Sequence, residues 1–254
     1  MGIPINGTNN NDPLLTGTIL DDDINGFGGG DVLFGLSGND TLNGGTGVDA
    51  MFGGGDNDIY YVDDPRDYTW ENVGEGYDQV LTSVSYTLVP GTEIERLAAT
   101  NPSGTAAINL TGNEFDNTVI GNNGNNILAG SVTNDGGNYD GLDFFTGGGG
   151  ADTFVWTATA ESGVAGAEAD VISDFNRAQG DLINVHAIDA NETLAGDQDF
   201  TFVGQGPFTA PGQISFFTTA TDTFILLNTD SDQFQEMTIH LHGVHQVDAG
   251  FFVL

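Results

Sequence analysis

Asp22, Asp31, Asp40, Asp49 and Asp58 recur every nine residues in a chain that offers almost nothing basic to pair with them. The 254 residues hold 37 Asp and Glu against 3 Lys and Arg, a formal net charge of -34. The only cations are Arg66, Arg96 and Arg177. Carboxylates set in rows repel one another, and self-repulsion on this scale opposes a compact state. A hard divalent cation reverses the sign, because carboxylate and carbonyl oxygens suit calcium, which takes about 6–8 such ligands. The spacing therefore predicts several Ca2+ ions where lysines would otherwise be needed. Disorder is the competing reading, and the composition opposes it: 38% hydrophobic residues, with 17 Phe, are enough to build a core.

The elements that would hold these carboxylates follow from the repeat itself. Cut every nine residues from Gly17, the chain reads "GTILDDDIN", "GFGGGDVLF", "GLSGNDTLN", "GGTGVDAMF" and "GGGDNDIYY". Position 1 is Gly17, Gly26, Gly35, Gly44 and Gly53; position 8 is Ile24, Leu33, Leu42, Met51 and Tyr60. A glycine-rich stretch permits positive φ and a tight half-turn. The residues after it form a very short strand with the position-8 side chain facing inward. Two units make one coil of ~18 residues, so each Asp lies beside the Asp one coil away. Asp56 stands at position 4 where the other loops favour glycine, which predicts an altered loop. A flexible Gly/Asp linker would have no reason to keep an apolar residue at every position 8.

A second, weaker array runs over residues 112–155. "GNEFDNTVI" and "GNNGNNILA" place Asn117 and Asn126 at position 6; an irregular stretch carrying Asp135 follows, and "NYDGLDFFT" and "GGGGADTFV" restore Asp143 and Asp152. Position 8 is here Val119, Leu128, Phe145 and Phe154. Asn ladders can stack in a solenoid without an ion. Between the arrays, "YDQVLTSVSYTL", "IERLA" and "AAINLTG" read as strands of a continued solenoid with longer turns, with Trp70 and Tyr86 in its core. Beyond Phe154, "ADTFVW", "ADVISDFN", "GDLINV", "FTFVG", "GQISFF", "TFILLNTD" and "MTIHLHGV" are β-rich segments separated by turn residues. The predicted fold class is all-β: a parallel β-roll or β-solenoid with a C-terminal β-rich domain.

Other chemistries find less support. With no Cys, disulfides and thiolate metal sites are excluded. Nucleic acid, a polyanion like this chain, is not expected as a partner. No apolar run reaches the ~18 residues of a membrane span, and "MGIPINGTNNND" has neither the charged nor the apolar part of a signal peptide. There is no H-E-x-x-H and no G-x-S-x-G, so the chain is read as not an enzyme. In "HLHGVH", His240 and His242 share one strand face, pointing outward while Ile239 and Leu241 point to the core; a surface pair is expected there in preference to a metal site. Asn228, Asp230, Asp232 and Glu236 of "NTDSDQFQE" look like a shortened acidic calcium loop, with a solvated hairpin favoured. Asp170 and Asp174 flank "VIS" where roll would meet tail and are a further place for an ion.

The pattern G-G-x-G-x-D-x-U-x resembles the calcium-binding nonapeptide of RTX proteins, closely over residues 17–61 and in decayed form over 112–155. The resemblance implies ions held between loops one coil apart, which pairs Asp22 with Asp40, Asp40 with Asp58 and Asp31 with Asp49. In the second array it implies Asp135 with Asp152, and sets Asn126 against Asp143 with a neutral amide in place of one charge. The motif order from "DVISDF" through "GDLINV" to "GVHQVDAGFFVL" resembles the C-terminal domain of serralysin-type secreted metalloproteases. Asp248 followed by Phe251, Phe252, Val253 and Leu254 resembles a type I secretion signal.

The expected organisation is an N-terminal cap at 1–16, an RTX roll at 17–61, an irregular solenoid at 62–111, a degenerate roll at 112–155 and a serralysin-like domain with its export tail at 156–254. Starting with Met and closing on that tail, the chain reads as complete, without room for a catalytic domain. The expected protein is secreted through a type I ABC exporter without an N-terminal signal peptide. It folds on binding calcium and assembles as a homo-oligomer or filament at the cell surface or in the matrix. A calcium-dependent adhesin binding polysaccharide, or an accessory portion of a secreted hydrolase or epimerase, are the alternatives.

Overall fold

The computed structural model describes residues 2, 4–131, 141–164 and 166–254. Nearly every element is a strand; among the described residues the only helical pieces are the 3-10 turns Thr159–Glu161 and Ala249–Phe251. A single 13-stranded sheet runs the length of the molecule. From Pro4–Asn6 through Asp23–Asn25, Thr41–Asn43, Ile59–Val62, Gln79–Thr82, Arg96–Ala99, Thr118–Ile120 and Phe144–Thr146 to Asp170–Ile172, each strand pairs in parallel with the next. Facing it are a four-stranded parallel sheet (Leu15–Thr16, Val32–Ser37, Ala50–Gly55, Tyr68–Trp70) and a six-stranded parallel sheet from Tyr86–Thr87 to Phe252–Val253. The all-β, parallel-roll expectation is borne out.

The nine-residue beat explains the two layers. Successive units alternate between the sheets, so residues eighteen apart become lateral neighbours: Ile24 lies beside Leu42 and Leu42 beside Tyr60 in one sheet, Leu33 beside Met51 in the other. Every position-8 side chain of both arrays is fully buried, from Ile24 to Phe154. The core is thus a double column of apolar side chains, one per rung. The loops wind tightly because positions 2 and 4 adopt positive φ: Phe27 (73°), Leu36 (88°), Gly45 (80°) and Gly54 (100°) at position 2, Gly29 (112°), Gly38 (105°), Gly47 (146°) and Asp56 (74°) at position 4. Asp56 keeps the left-handed turn of the glycines it replaces and adds a carboxylate that accepts from Gly38 N–H at 3.2 Å.

Where the glycines stop, the coil continues. The four-stranded sheet ends at Tyr68–Trp70 and the six-stranded one begins at Tyr86–Thr87. Buried Thr69 and Tyr86 join them, their hydroxyls 3.2 Å apart, while the Tyr86 hydroxyl donates to the Asp67 carbonyl at 2.9 Å. Tyr86 is in the core as expected, but Trp70 is not. It follows Phe34 and Phe52 along the outer face and stacks on Tyr68 with ring centroids 6.0 Å apart. The inward place in that strand belongs to Thr69, so alternation turns Trp70 outward.

At the C-terminal end the direction of pairing changes. Met237–His242 adds to Asp170–Ile172 in parallel, and then Asp222–Asn228 and Gln213–Thr218 follow as antiparallel neighbours. Ile214, Ile225, Leu227, Met237, Ile239 and Leu241 bury the inner face of this cap.

Candidate metal centre

Each carboxylate stands at the junction between a glycine loop and a short strand, where burial of the next-but-one apolar residue fixes it against the coil. Asp22, Asp31, Asp40, Asp49 and Asp58 are all at least 96% buried, because relative exposure nowhere exceeds 4%. In each coil one carboxylate oxygen, Oδ1, accepts the backbone N–H of the residue one coil earlier. Asp22 N–H donates to Asp40, Asp40 to Asp58 and Asp31 to Asp49, all at 2.7 Å. The three pairs anticipated in residues 17–61 are therefore direct neighbours.

The rows extend further than the glycine motif. Asp12 donates to Asp31, Asp49 to Asp67, Asp58 to Asp78, and Asp78 to Glu95. In the second array Asn117 donates to Asp143 and Asp143 to Asp170, while Asn126 donates to Asp152 and Asp152 to Asp181. The anticipated apposition of Asn126 with Asp143 is corrected: Asn126 meets Asp152, and Asp143 meets Asn117. The coil here spans 26 residues instead of 18, eight more, so partners shift past the nearest position 6. Asp135, anticipated opposite Asp152, lies outside the described residues. Asp67, Asp78, Glu95 and Asp181 were missed. Asp67 was legible, nine residues after Asp58 although its unit lacks glycine; Asp78, Glu95 and Asp181 follow irregular loops that break the count.

What the second oxygen does separates the rungs. At the margins of the rows Oδ2 is served by local donors: Thr18 N–H and hydroxyl for Asp22, Asp63 and Asp64 N–H for Asp67, and Asn176 N–H for Asp181. The Oδ2 atoms of Asp31, Asp40, Asp49, Asp58 and Asp152 are buried without any hydrogen-bond partner. Asn117 and Asn126 behave differently again. Their Oδ1 accepts from Asn113 and Asn122 N–H, and their Nδ2 donates to the Ile94 and Ile108 carbonyls at 2.8 and 2.9 Å. An amide rung is complete by itself, whereas an interior carboxylate rung is not.

Burial raises the acid pKa values, with neighbouring carboxylates adding to the rise and the backbone N–H bonds opposing it. Asp40, Asp49 and Asp152 are pushed up to about 6 and Asp58 to about 7. Beyond the first array, desolvation takes Asp78 to about 7 and Glu71 to about 9. Asp58, Glu71 and Asp78 form one buried acidic group, with the Tyr60 hydroxyl bonded to Glu71.

These residues fit calcium. The orphaned Oδ2 atoms are hard, buried and aimed at the glycine loop. A Cβ on Gly35 would meet Asp40 Oδ2 at 2.3 Å and the Gly53 carbonyl oxygen at 2.6 Å; one on Gly26 would meet Asp31 Oδ2 at 2.3 Å and the Gly44 carbonyl oxygen at 2.5 Å. Carboxylate and carbonyl oxygens of adjacent coils thus crowd the same space, the donor set that calcium prefers. Asp170 completes a rung and also accepts from the Trp156 indole at 2.7 Å; Asp174 accepts from Gly147 and Gly148 N–H, bracing that loop. Asp230, Asp232 and Glu236 come together, but Asp232 N–H and Thr229 N–H already bond to Asp230 and Glu236.

A parallel coil carrying stacked buried carboxylates defines a β-roll domain of the RTX, calcium-binding class. The match to known families agrees: residues 5–253 fit the family described as Peptidase M10 serralysin C terminal, and the chain belongs to that family. The family is a C-terminal repeat region and not a catalytic one. Among solved structures, the chain is similar to the AlgE6R3 subunit of the mannuronan C5-epimerase from Azotobacter vinelandii at 18% identity, covering 97% of this chain and 80% of that chain with a TM-score of 0.26. No curated protein matches it.

Proposed function

We propose that this is a secreted, non-catalytic protein whose roll is completed by calcium held at Asp31, Asp40, Asp49, Asp58 and Asp152, with Asp22 and Asp143 as rung partners. The observation that carries the reading is the set of buried Oδ2 atoms without partners, beside Asn rungs that satisfy themselves. Bound calcium supplies the positive charge that lets these acids ionise in place. The chain's own residues do the rest: the position-1 glycines leave room for the oxygens, the Oδ1 atoms hold the preceding coil, and the position-8 side chains exclude water from beneath.

Without the ion, ionised interior carboxylates are desolvated next to one another, so the extended chain is favoured. Free calcium inside a cell lies far below the ~10⁻⁴–10⁻³ M range of extracellular calcium modules, which suits passage through a type I ABC exporter and folding outside. Far-UV circular dichroism at neutral pH tests this. Strand signal should appear cooperatively as calcium is titrated into chelated protein; full strand signal in excess chelator overturns the reading.

The same reading has copies assembling outside the cell. Pro4–Asn6 and Thr201–Gly204 each pair on one side only, leaving a strand edge at either end of the long sheet. Calcium-dependent sedimentation of large species supports assembly; a monomer at all calcium levels removes it. Polysaccharide binding is favoured by one observation, the outward aromatic row of Phe34, Phe52, Tyr68 and Trp70, and a glycan array with and without calcium decides it.

A further inference from the structure

The outer face of the C-terminal cap gathers ligands of a different kind. Ile239 and Leu241 are fully buried, which turns His240 and His242 to the opposite face. Antiparallel pairing then sets Asp222 across from His242 and Phe224 across from His240. The sequence separates Asp222 from His242 by twenty residues, so "HLHGVH" alone reveals two ligands and the fold brings the third.

His240 Nε2 lies 3.2 Å from Asp222 Oδ1. It is shielded from solvent, and its contact with Asp222 is not a well-aligned hydrogen bond. The ligand atoms of Asp222, His240 and His242 all fall within 4.8 Å of one another. Two atoms each ~2.0–2.1 Å from a tetrahedral zinc-class ion are separated by about 3.3–3.4 Å, so the His240–Asp222 edge already has the required length. His242, the most exposed of the three, has the freedom to close the remaining distance.

The supports are in place as well. The His240 ring is stacked on Phe224, with centroids 4.5 Å apart and planes 12° from parallel. The Thr221 hydroxyl bonds to Asp222 Oδ2, leaving Oδ1 toward the histidines. Such outer contacts fix the orientation of metal ligands. Among the described residues this is the one metal-capable group that contains imidazole.

We propose that Asp222, His240 and His242 form a binding site for a divalent transition ion of the zinc class, separate from the oxygen-lined calcium ladder. Two imidazole nitrogens and one carboxylate suit zinc, nickel or cobalt and not calcium. Three protein ligands leave a fourth position for water or an external donor.

The test uses the full chain held in excess calcium, so that the acidic ladder is saturated and does not take up the probe. Cobalt(II) is titrated in while visible absorption is followed. One equivalent should bind with the intense d–d bands of a four- or five-coordinate, nitrogen-ligated ion, and zinc should displace it. His242→Ala, at an exposed position that leaves the fold intact, should weaken binding at least about tenfold, and His240→Gln should abolish the bands. His186→Gln should bind like the parent. Weak six-coordinate absorption from the parent protein, or unchanged bands in both His240→Gln and His242→Ala, overturns the proposal.

Discussion

The contrast between Asp and Asn at position 6 is a difference of one atom with opposite consequences. Asn126 donates where Asp40 carries an unpartnered oxygen. Because the folded-state pKa values of Asp40, Asp49 and Asp58 are raised above the unfolded value near 4 to about 6, 6 and 7, the metal-free fold takes up protons that the unfolded chain releases. Their contribution to its stability is then fully present below about pH 4 and is lost as pH rises through the 6–7 range. In chelator, urea midpoints should therefore be higher near pH 4.5 than near pH 7.5; the opposite order would remove the buried carboxylates as the cause. Added calcium should abolish that dependence near neutrality. Asp49→Asn should retain more strand signal than the parent in chelator, yet need about tenfold more calcium to saturate, since one charged ligand is gone; titrations followed by circular dichroism read both. Gly35→Ala should cost ~1–3 kcal/mol, through the approach of its Cβ to Asp40 Oδ2 and the Gly53 carbonyl.

At the level of strands and loops, two leucines in one unit play unlike parts. Leu42 fills the core column between Ile24 and Tyr60 and is fully buried. Leu36 lies near the end of strand Val32–Ser37, where the chain turns with φ 88°, and 47% of its surface is exposed. Leu42→Ala should lower the stability of the calcium-loaded protein by ~2–5 kcal/mol, while Leu36→Gly should raise it by ~0.5–1 kcal/mol by releasing left-handed strain; chemical denaturation measures both. The short strands were legible because their apolar residues fall at a constant place after a glycine loop, and the segments from "FTFVG" to "MTIHLHGV" form strands because they alternate. The partners across the long coil were not legible. Nothing in "GNNGNNILA" says that the chain adds eight residues before Asp143, so counting by eighteen set Asn126 against the wrong residue. Trp70 was misplaced for a related reason: large and apolar, it invites burial, but the small Thr69 holds the inward place beneath the Tyr86 hydroxyl.

Taken whole, the molecule is built on one long sheet with two kinds of physics in it. Its parallel part depends on contacts eighteen or more residues apart and crowds like charges together. Its cap, from Gln213–Thr218 to Met237–His242, is antiparallel, hairpin-connected and rich in buried aliphatic side chains. Local pairing closes shorter loops and costs less entropy, so the cap should form before the roll as calcium rises. Hydrogen exchange at limiting calcium should show protected amides within 213–242 and fast exchange within 17–61; uniform protection, or uniform loss, would contradict this division. The ion-dependent part was legible in the sequence as a rhythm. The cap was legible only as strands, because what makes it antiparallel is the pairing of segments whose composition does not specify direction.

The hydrogen bonds of the buried position-6 acids point one way, the carboxylate of each turn gripping the amide of the turn before it, as Asp58 grips Asp40 and Asp40 grips Asp22, while at position 5 Asp21 and Asn39 accept from the Asn39 and Asn57 amides of the turn after. Each finished turn therefore offers its upstream neighbour both a buried acceptor and an exposed donor. A thread drawn tail-first through a narrow pore would be caught turn by turn on the far side, and the growing spiral would serve as a pawl against slipping back.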